Sequence, residues 1–360
     1  MPPLPPLHPR PGAATLARAG LLALAVRRFA RGARGTPALV PAVVGELDVL
    51  VVVPARDEEE RIGPCVSSLV GQGARVLVVD DGSSDRTRAV AEAAGATVID
   101  AGPLPPGWAG KAHALQVGLD AAGAATVVFV DADTRAGEGF VGSVVGALGA
   151  ATLVSAGARV DAASAGERWL HPAMLATLVY RFGPPGGRSA RPNRTMANGQ
   201  CTVVDRQALL DAGGFEPVRG SLLEDVALAR HLAAAGHEVR FLDATDVLTV
   251  AGYGSLVGAW RGWGRSLDLR LVTPWPSQLL DLAVVWSGLA LPLPRLLLRR
   301  GDAVDVAALA VRVGVLAGTR RAYLRRGLPY LLSPLADLAV AVRITAGTLR
   351  PSRRWRGRRY

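Results

Sequence analysis

Thr126-Val127-Val128-Phe129-Val130-Asp131-Ala132-Asp133 decides how this chain folds: an unbroken β-branched and aromatic run leads straight into two carboxylates one residue apart. A run that is apolar at nearly every position, rather than at alternate ones, suits a strand buried on both faces of a parallel sheet. Two earlier segments share its shape. Asp48 to Pro54 carries Val49-Leu50-Val51-Val52-Val53, and Arg75 to Asp81 carries Val76-Leu77-Val78-Val79 before its two aspartates. Around these the pattern predicts helices over 61–69, 86–94 and 111–122 and a short strand at Thr97-Val98-Ile99. Strands alternating with helices predict an α/β architecture, a Rossmann-like, doubly wound and mostly parallel sheet. Ligands of such sheets settle beyond the carboxyl ends of the strands. The acidic residues fall at those ends: after Val53, at Asp80 and Asp81, and at Asp131 and Asp133.

Beyond residue 270 the composition changes. Apolar segments near Trp275–Leu293, Ala303–Ala317 and Leu328–Leu349 alternate with arginine clusters. A membrane span needs about twenty apolar residues. The first and last segments qualify by length and are expected to be transmembrane helices; the middle one, carrying Arg312, reads as interfacial. The domain reading is therefore a Pro-rich, basic, interfacial N-terminal segment (1–45), an α/β catalytic domain (46–270), membrane helices (271–350) and a basic tail (351–360). The short apolar stretch Ala13–Val26, interrupted by Arg18, and the segment Trp169–Phe182 both read as interfacial helices. The net charge of +11 raises the question of nucleic acid. Much of the excess arginine lies beside the apolar stretches, as anionic lipid and the positive-inside rule favour, and no nucleic-acid-reading module is present. The partner expected is a membrane, not nucleic acid. Cys65 and Cys201 form no metal or disulfide pattern, which suits a reducing compartment. Together these readings predict a multi-pass protein of the cell membrane with its catalytic domain facing the cytoplasm.

The chemistry sits in four places. Asp131 and Asp133 offer hard oxygen ligands that suit Mg2+ or Mn2+, with substrate phosphates completing the shell; a solvated acidic turn has the same sequence, and the preceding strand sets this one apart. Asp80 and Asp81 can accept hydrogen bonds from a nucleobase or ribose, although a capping turn needs no more. Glu224 and Asp225 open a helical pattern running to Ala235, where a carboxylate can take a proton or simply complement the helix dipole. Lys111 is the only lysine; every other basic residue among the 41 is arginine. It stands at a helix start, where an anion can bind.

Read in order, Val51-Val52-Val53-Pro54-Ala55-Arg56-Asp57-Glu58-Glu59, Val78-Val79-Asp80-Asp81-Gly82-Ser83-Ser84-Asp85, Asp131-Ala132-Asp133 and Glu224-Asp225 resemble the motif set of family 2 glycosyltransferases with a GT-A fold, over about 200 residues. Pro103 to Lys111, Asn198-Gly199-Gln200 and Gly213-Gly214-Phe215 are similar to the branch acting on carotenoid acids and other terpenoid lipids. The resemblance implies that Pro54, Ala55, Arg56, Glu58, Asp80 and Asp81 hold the nucleotide, with Lys111 and Asp131 on the donor. Asp133, with Asp131, would meet the metal. Asp225, with Glu224 beside it, would be the base of a direct, inverting displacement. Trp260, Trp263 and Arg265 stand where processive synthases carry Gln-x-x-Arg-Trp, which argues for a single transfer and makes them acceptor candidates; an interfacial aromatic belt is the plain alternative. The function expected is transfer of a hexose, glucose from UDP-glucose, to a lipid or terpenoid acceptor such as a carotenoid acid. Two alternatives stand beside it, a polyprenyl-phosphate or ceramide-type sugar transferase and a non-catalytic membrane scaffold.

Overall fold

Strand residues that alternate in sequence serve two separate cores. Val49, Val51 and Val53 join one buried cluster while Leu50 and Val52 join another on the opposite face of the sheet. The computed structural model describes residues 12–32, 38–42, 48–186, 191–267, 269–350, 354–355 and 358–359. In chain order the elements begin α1 (Ala13–Gly32), β1 (Val49–Ala55), α2 (Ile62–Leu69), β2 (Arg75–Asp80), α3 (Thr87–Ala93), β3 (Thr97–Asp100), α4 (Gly110–Ala121) and β4 (Thr126–Val130). There follow β5 (Thr134–Ala136), α5 (Phe140–Leu148), β6 (Leu153–Gly157), β7 (Arg159–Asp161), α6 (Ala165–Phe182), β8 (Cys201–Asp205), α7 (Arg206–Asp211), α8 (Glu224–Ala234), β9 (Val239–Asp243) and β10 (Leu248–Ala251). The rest is helical: α9 (Leu256–Ser266), α10 (Trp275–Val285), α11 (Pro292–Leu297), α12 (Ala303–Gly318), α13 (Leu328–Leu331) and α14 (Asp337–Leu349), then a small ladder of β11 (Arg354–Trp355) and β12 (Arg358–Arg359).

The main sheet has the order β3-β2-β1-β4-β8-β6-β9. It is parallel except at β8, which runs antiparallel to both of its neighbours. Helices α2, α3 and α5 cover one face; α4, α7 and α8 cover the other. Strand β4 lies beside β1 on the side away from β2, so the chain reverses its winding there. That switch leaves a crevice at the carboxyl ends of β1 and β4, where ligands of open α/β sheets bind. A second sheet, β5-β10-β7, begins just past the Asp131-Ala132-Asp133 turn.

Close approach of α4 to the sheet depends on Gly118. A Cβ there would overlap Val52 Cγ1 and stand 3.3 Å from Val79 Cγ2. Overpacking of this kind costs about 1–3 kcal/mol. Gly118→Val is expected to lower the unfolding free energy by that amount, read as a lower urea midpoint at unchanged slope when unfolding is followed by circular dichroism.

The helical region overturns the expectation of transmembrane helices and with it the multi-pass placement. Among the described residues no helix is long and apolar enough to cross a membrane. The 275–293 segment is broken by a π turn at Trp286–Ala290 and by Pro292, leaving α10 with 11 residues. The middle segment forms α12, of 16 residues, and a 3-10 turn at Ser333–Ala336 divides the last. Hydropathy over a window counts apolar residues but not the turns between them. α6 also differs from its reading as an interfacial helix: Leu170, His171, Met174 and Tyr180 on it are buried, and α1, α9, α10 and α14 pack around it.

Candidate active site

The loops after β1 and β2 interlock. Ser83 Oγ accepts from the Asp57 amide at 3.0 Å, and Asp57 Oδ1 accepts from the Ser84 amide at 2.8 Å. Thr87 Oγ1 accepts from the Glu58 amide at 2.8 Å, Asp85 Oδ2 from Glu59 and Glu59 Oε2 from Arg86. Asp57 adopts φ 51°, a left-handed conformation that an aspartate tolerates better than most residues. The result is a fixed floor at the carboxyl ends of β1 and β2, with Arg56 Nη1 donating to the Asp81 carbonyl at 2.9 Å. Pro54, Ala55, Arg56, Glu58 and Asp81 line the crevice above it. Asp80 does not. Its Oδ1 accepts from the Ser83 amide at 2.9 Å and the Ser83 hydroxyl at 2.6 Å, so this carboxylate closes the turn.

Lys111 lies at the centre of the site. Nζ is 2.7 Å from Asp131 Oδ1 and 2.9 Å from Glu224 Oε1. The sequence expectation put an anion at this helix start; the structure puts protein carboxylates there. A cation in the first turn opposes the helix dipole, and the carboxylates more than offset that. Burial disfavours the ammonium, yet Asp131, Glu224 and Asp225 outweigh it and hold its pKa well above the usual lysine value. Asp225 Oδ2 accepts from the Gly199 amide at 2.7 Å, and a Cβ on Gly199 would lie 2.8 Å from Lys111 Nζ. Asn198 and Gln200, on either side, are cross-bonded through Asn198 Nδ2 to Gln200 Oε1 at 2.9 Å, which fixes that glycine against the cluster. Burial, then the neighbouring Glu224, raises Asp225 to about 7.

Asp133 has a different setting. Burial raises it to about 7 as well, with Asp131 and Glu58 adding to the push. A carboxylate crowded by other carboxylates suits a divalent cation. The described residues contain no group of three or more His, Cys, Asp or Glu able to cage one. Magnesium-type sites often need only one or two carboxylates, because substrate phosphates complete the shell. Asp133 fits that pattern, whereas Asp131 already shares one oxygen with Lys111. Cys65 and Cys201 are buried, and burial pushes both thiols up to about 12, so neither offers a nucleophile.

The crevice continues into the helical layer as one cavity of about 1080 Å3. Leu175, Leu178, Val179 and Phe182 of α6 line its far arm with Arg28, Arg194 and Arg343. Arg28 and Arg194 both pair with Asp281, at 3.1 and 2.7 Å, and Arg194 also lies 4.3 Å over the Phe182 ring. Trp263 lines the cavity and stacks on His171 at 3.8 Å, while Trp260 packs away from it. The Arg265 side chain lies outside the described residues. His171 Nδ1 meets Tyr323 Oη at 2.8 Å, and burial lowers its pKa to about 3, so the imidazole is neutral. Sequence reading gave no role to His171, Phe182 or Arg194 and took Arg28 only as part of a basic cluster beside an apolar stretch; for the two rings the signal was ring residues and a proline inside an apolar run.

Residues 50–212 match the profile of glycosyl transferase family 2. That stretch of the chain is similar to a family 2 glycosyltransferase domain. Over 86 residues it is 43% identical to the 4,4'-diaponeurosporenoate glycosyltransferase of Staphylococcus aureus (strain MRSA252), which is 23% of each chain. The chain thus matches about a quarter of the length of the curated relatives. Among solved structures it is similar to the mannosyltransferase PcManGT from Pyrobaculum calidifontis in complex with GDP-Man and Mn2+, at 19% identity and TM-score 0.54, covering 94% of this chain and 98% of that one. That likeness concerns the fold, which is GT-A like. The family 2 match takes in β1 to β8 and so Lys111, Asp131 and Asp133; Glu224 and Asp225 lie beyond it and reach the domain's crevice through α8.

Proposed function

We propose that the protein is an inverting hexosyltransferase that moves glucose from UDP-glucose to a lipid or terpenoid acceptor such as a carotenoid acid. One observation carries this reading: the carboxylates and Lys111 line the same cavity as the apolar, arginine-bearing arm under α6. At about 1080 Å3 that cavity has room for a nucleotide sugar and the end of an apolar chain. The carotenoid acid is taken from the likeness to the staphylococcal glycosyltransferase.

In this reading Pro54, Ala55, Arg56 and Asp81 bind the nucleotide on the interlocked loops, and Asp133, with Asp131 at its edge, would hold the metal. A bound Mg2+ or Mn2+ supplies neutralisation of the diphosphate leaving group. The acceptor oxygen attacks the anomeric carbon as the bond to the diphosphate breaks, and UDP departs with those electrons. An acceptor hydroxyl gives its proton to Asp225. A carboxylate acceptor arrives ionised, and Asp225 then orients rather than deprotonates. Lys111 holds Glu224 and Asp131 in place around this step. Arg28, Arg194 and Arg343 favour an acceptor with a negative charge over an uncharged ceramide hydroxyl. A polyprenyl phosphate meets the same arginines and is the second reading.

Transfer of labelled glucose from UDP-glucose into an organic-extractable product, with Mn2+ or Mg2+ present, tests the proposal, and mass spectrometry of the product separates carotenoid ester from polyprenyl phosphosugar. Label is expected, abolished by EDTA. Asp133→Asn is expected to cut kcat/KM by at least about 100-fold, the scale of an electrostatic group aimed at the leaving group. Donor binding by calorimetry without transfer from any nucleotide sugar would return the chain to the scaffold reading.

A further inference from the structure

Helices α12 and α14 are built inside out for a protein bathed in water. On α12 the outward stripe is Ala303, Val306, Ala310, Val313 and Ala317, with Val306 58% and Val313 55% exposed, and no charge interrupts it. The helix's own charges, Asp305 and Arg312, are buried. Arg312 makes two bonds to Asp337, at 2.7 and 3.0 Å, and Asp305 takes Arg295 at 3.0 Å. The stretch from α13 through α14 repeats the arrangement. Leu331, Leu335, Leu338, Val342 and Leu349 face out, the last 62% exposed, while Asp337 is buried. On α10, which packs against α14, Trp275 and Leu279 are exposed while Asp281 is buried. An apolar surface of this extent marks an interaction face.

We infer that this face docks the protein in the plane of an anionic lipid surface, entering one leaflet without crossing. Two observations choose that occupant. The first is charge: exposed Arg299 and Arg300 stand at one end of α12, and exposed Arg320 and Arg326 at the other. The second is length. With 16 residues α12 measures about 24 Å, short of the roughly 30 Å hydrocarbon core. Lying flat, such a helix puts the arginines of both ends into one headgroup layer, where anionic lipids attract them. α14 serves two surfaces, since Arg343 and Gly347 line the cavity while Leu338, Val342 and Leu349 face out. A lipid acceptor therefore has only the width of one helix to travel. The docking face stands whether or not the transfer reaction is as proposed.

Flotation of the purified full chain with vesicles tests the inference. Binding is expected to phosphatidylcholine–phosphatidylglycerol vesicles, weaker to pure phosphatidylcholine, and reduced by salt on the anionic ones. The double variant Leu331→Asp, Leu335→Asp is expected to lose binding at least tenfold with its circular dichroism and nucleotide binding unchanged. Should that variant fail to fold, Val306→Asp, on another helix, makes the same test. A spin label on Val313→Cys is expected at shallow depth in one leaflet. A label at the bilayer centre, no binding to either vesicle, or a stable dimer that covers the face and excludes vesicles would each overturn it.

Discussion

Asp225→Asn is expected to lower kcat by about 100- to 10,000-fold for a hydroxyl acceptor, the usual contribution of a positioned general base, and to make the fold's stability less dependent on pH. Asn keeps one oxygen for the Gly199 amide, which Asp225 Oδ2 holds at 2.7 Å, loses the bond that Oδ1 accepts from the Val226 amide at 2.8 Å, and cannot accept the acceptor's proton. The stability side follows from the sign of the pKa displacement. Asp225 titrates near 7 when folded and near 3.9 when unfolded. The folded state thus binds the extra proton between those values, and wild-type stability falls as pH rises through that window. Above pH 7 the ionised Asp225 carries a penalty that Asn lacks; below about pH 4 the difference disappears. Thermal unfolding at pH 8 and pH 4 checks this, alongside single-turnover kinetics. The same displacement gives wild-type kcat/KM an acidic limb near pH 7 with a hydroxyl acceptor. A carboxylic acid acceptor needs no base, and with metal saturating Asp133 no such limb is expected with it. A fully active Asn variant on a hydroxyl acceptor would remove Asp225 from the chemistry.

Lys111→Met damages both stability and activity. Nζ is the cation between Asp131 and Glu224, and Glu224 is buried. Deleting one partner of a buried ionic cluster costs about 3–5 kcal/mol, because the remaining charges lose their compensation. The lysine's pKa is raised in the folded protein, so its contribution is complete below about pH 10 and is lost only as pH rises through the folded value. At pH 8 the Met variant leaves three carboxylates facing one another. Lowering the pH lets Asp225, already raised to about 7 beside the lysine, take a proton, so the deficit is expected to shrink between pH 8 and pH 5. Urea unfolding at both values measures it. Lys111→Arg restores charge but not shape beside Gly199, and is expected to recover stability more than turnover. Equal stability of wild type and Met variant at pH 8 would show that the lysine bridges nothing of consequence.

How much of this was legible in the sequence depends on distance along the chain. β1, β2 and β4 lie within a residue or so of where their apolar runs put them, because strands buried on both faces announce themselves locally. β8 does not. Its place between β4 and β6, antiparallel to both, is a non-local pairing that no local pattern carries. In the helical layer the apolar content was read correctly and its consequence wrongly: Arg312 and Asp337, which look like interruptions of a span, are partners buried beneath an apolar exterior. At the site, the motifs marked Asp131, Asp133 and Asp225 as residues of interest, but the lysine's orientation toward carboxylates depends on α4 and α8 meeting across the crevice. His171 lies inside an apolar stretch, and its stack on Trp263 and its bond to Tyr323 mark it only in the folded chain.

The interlocked loops after β1 and β2 bear on how this protein can change. The Ser84 amide donates to Asp57, and likewise the Arg86 amide to Glu59, each across 27 positions of sequence. A substitution in one loop is therefore felt in the other, and the effects of two such changes will not add. The two segments form a single inheritable unit. Exchanging either one alone with a relative leaves half a clasp; a new preference for what the crevice binds must arrive on both halves together.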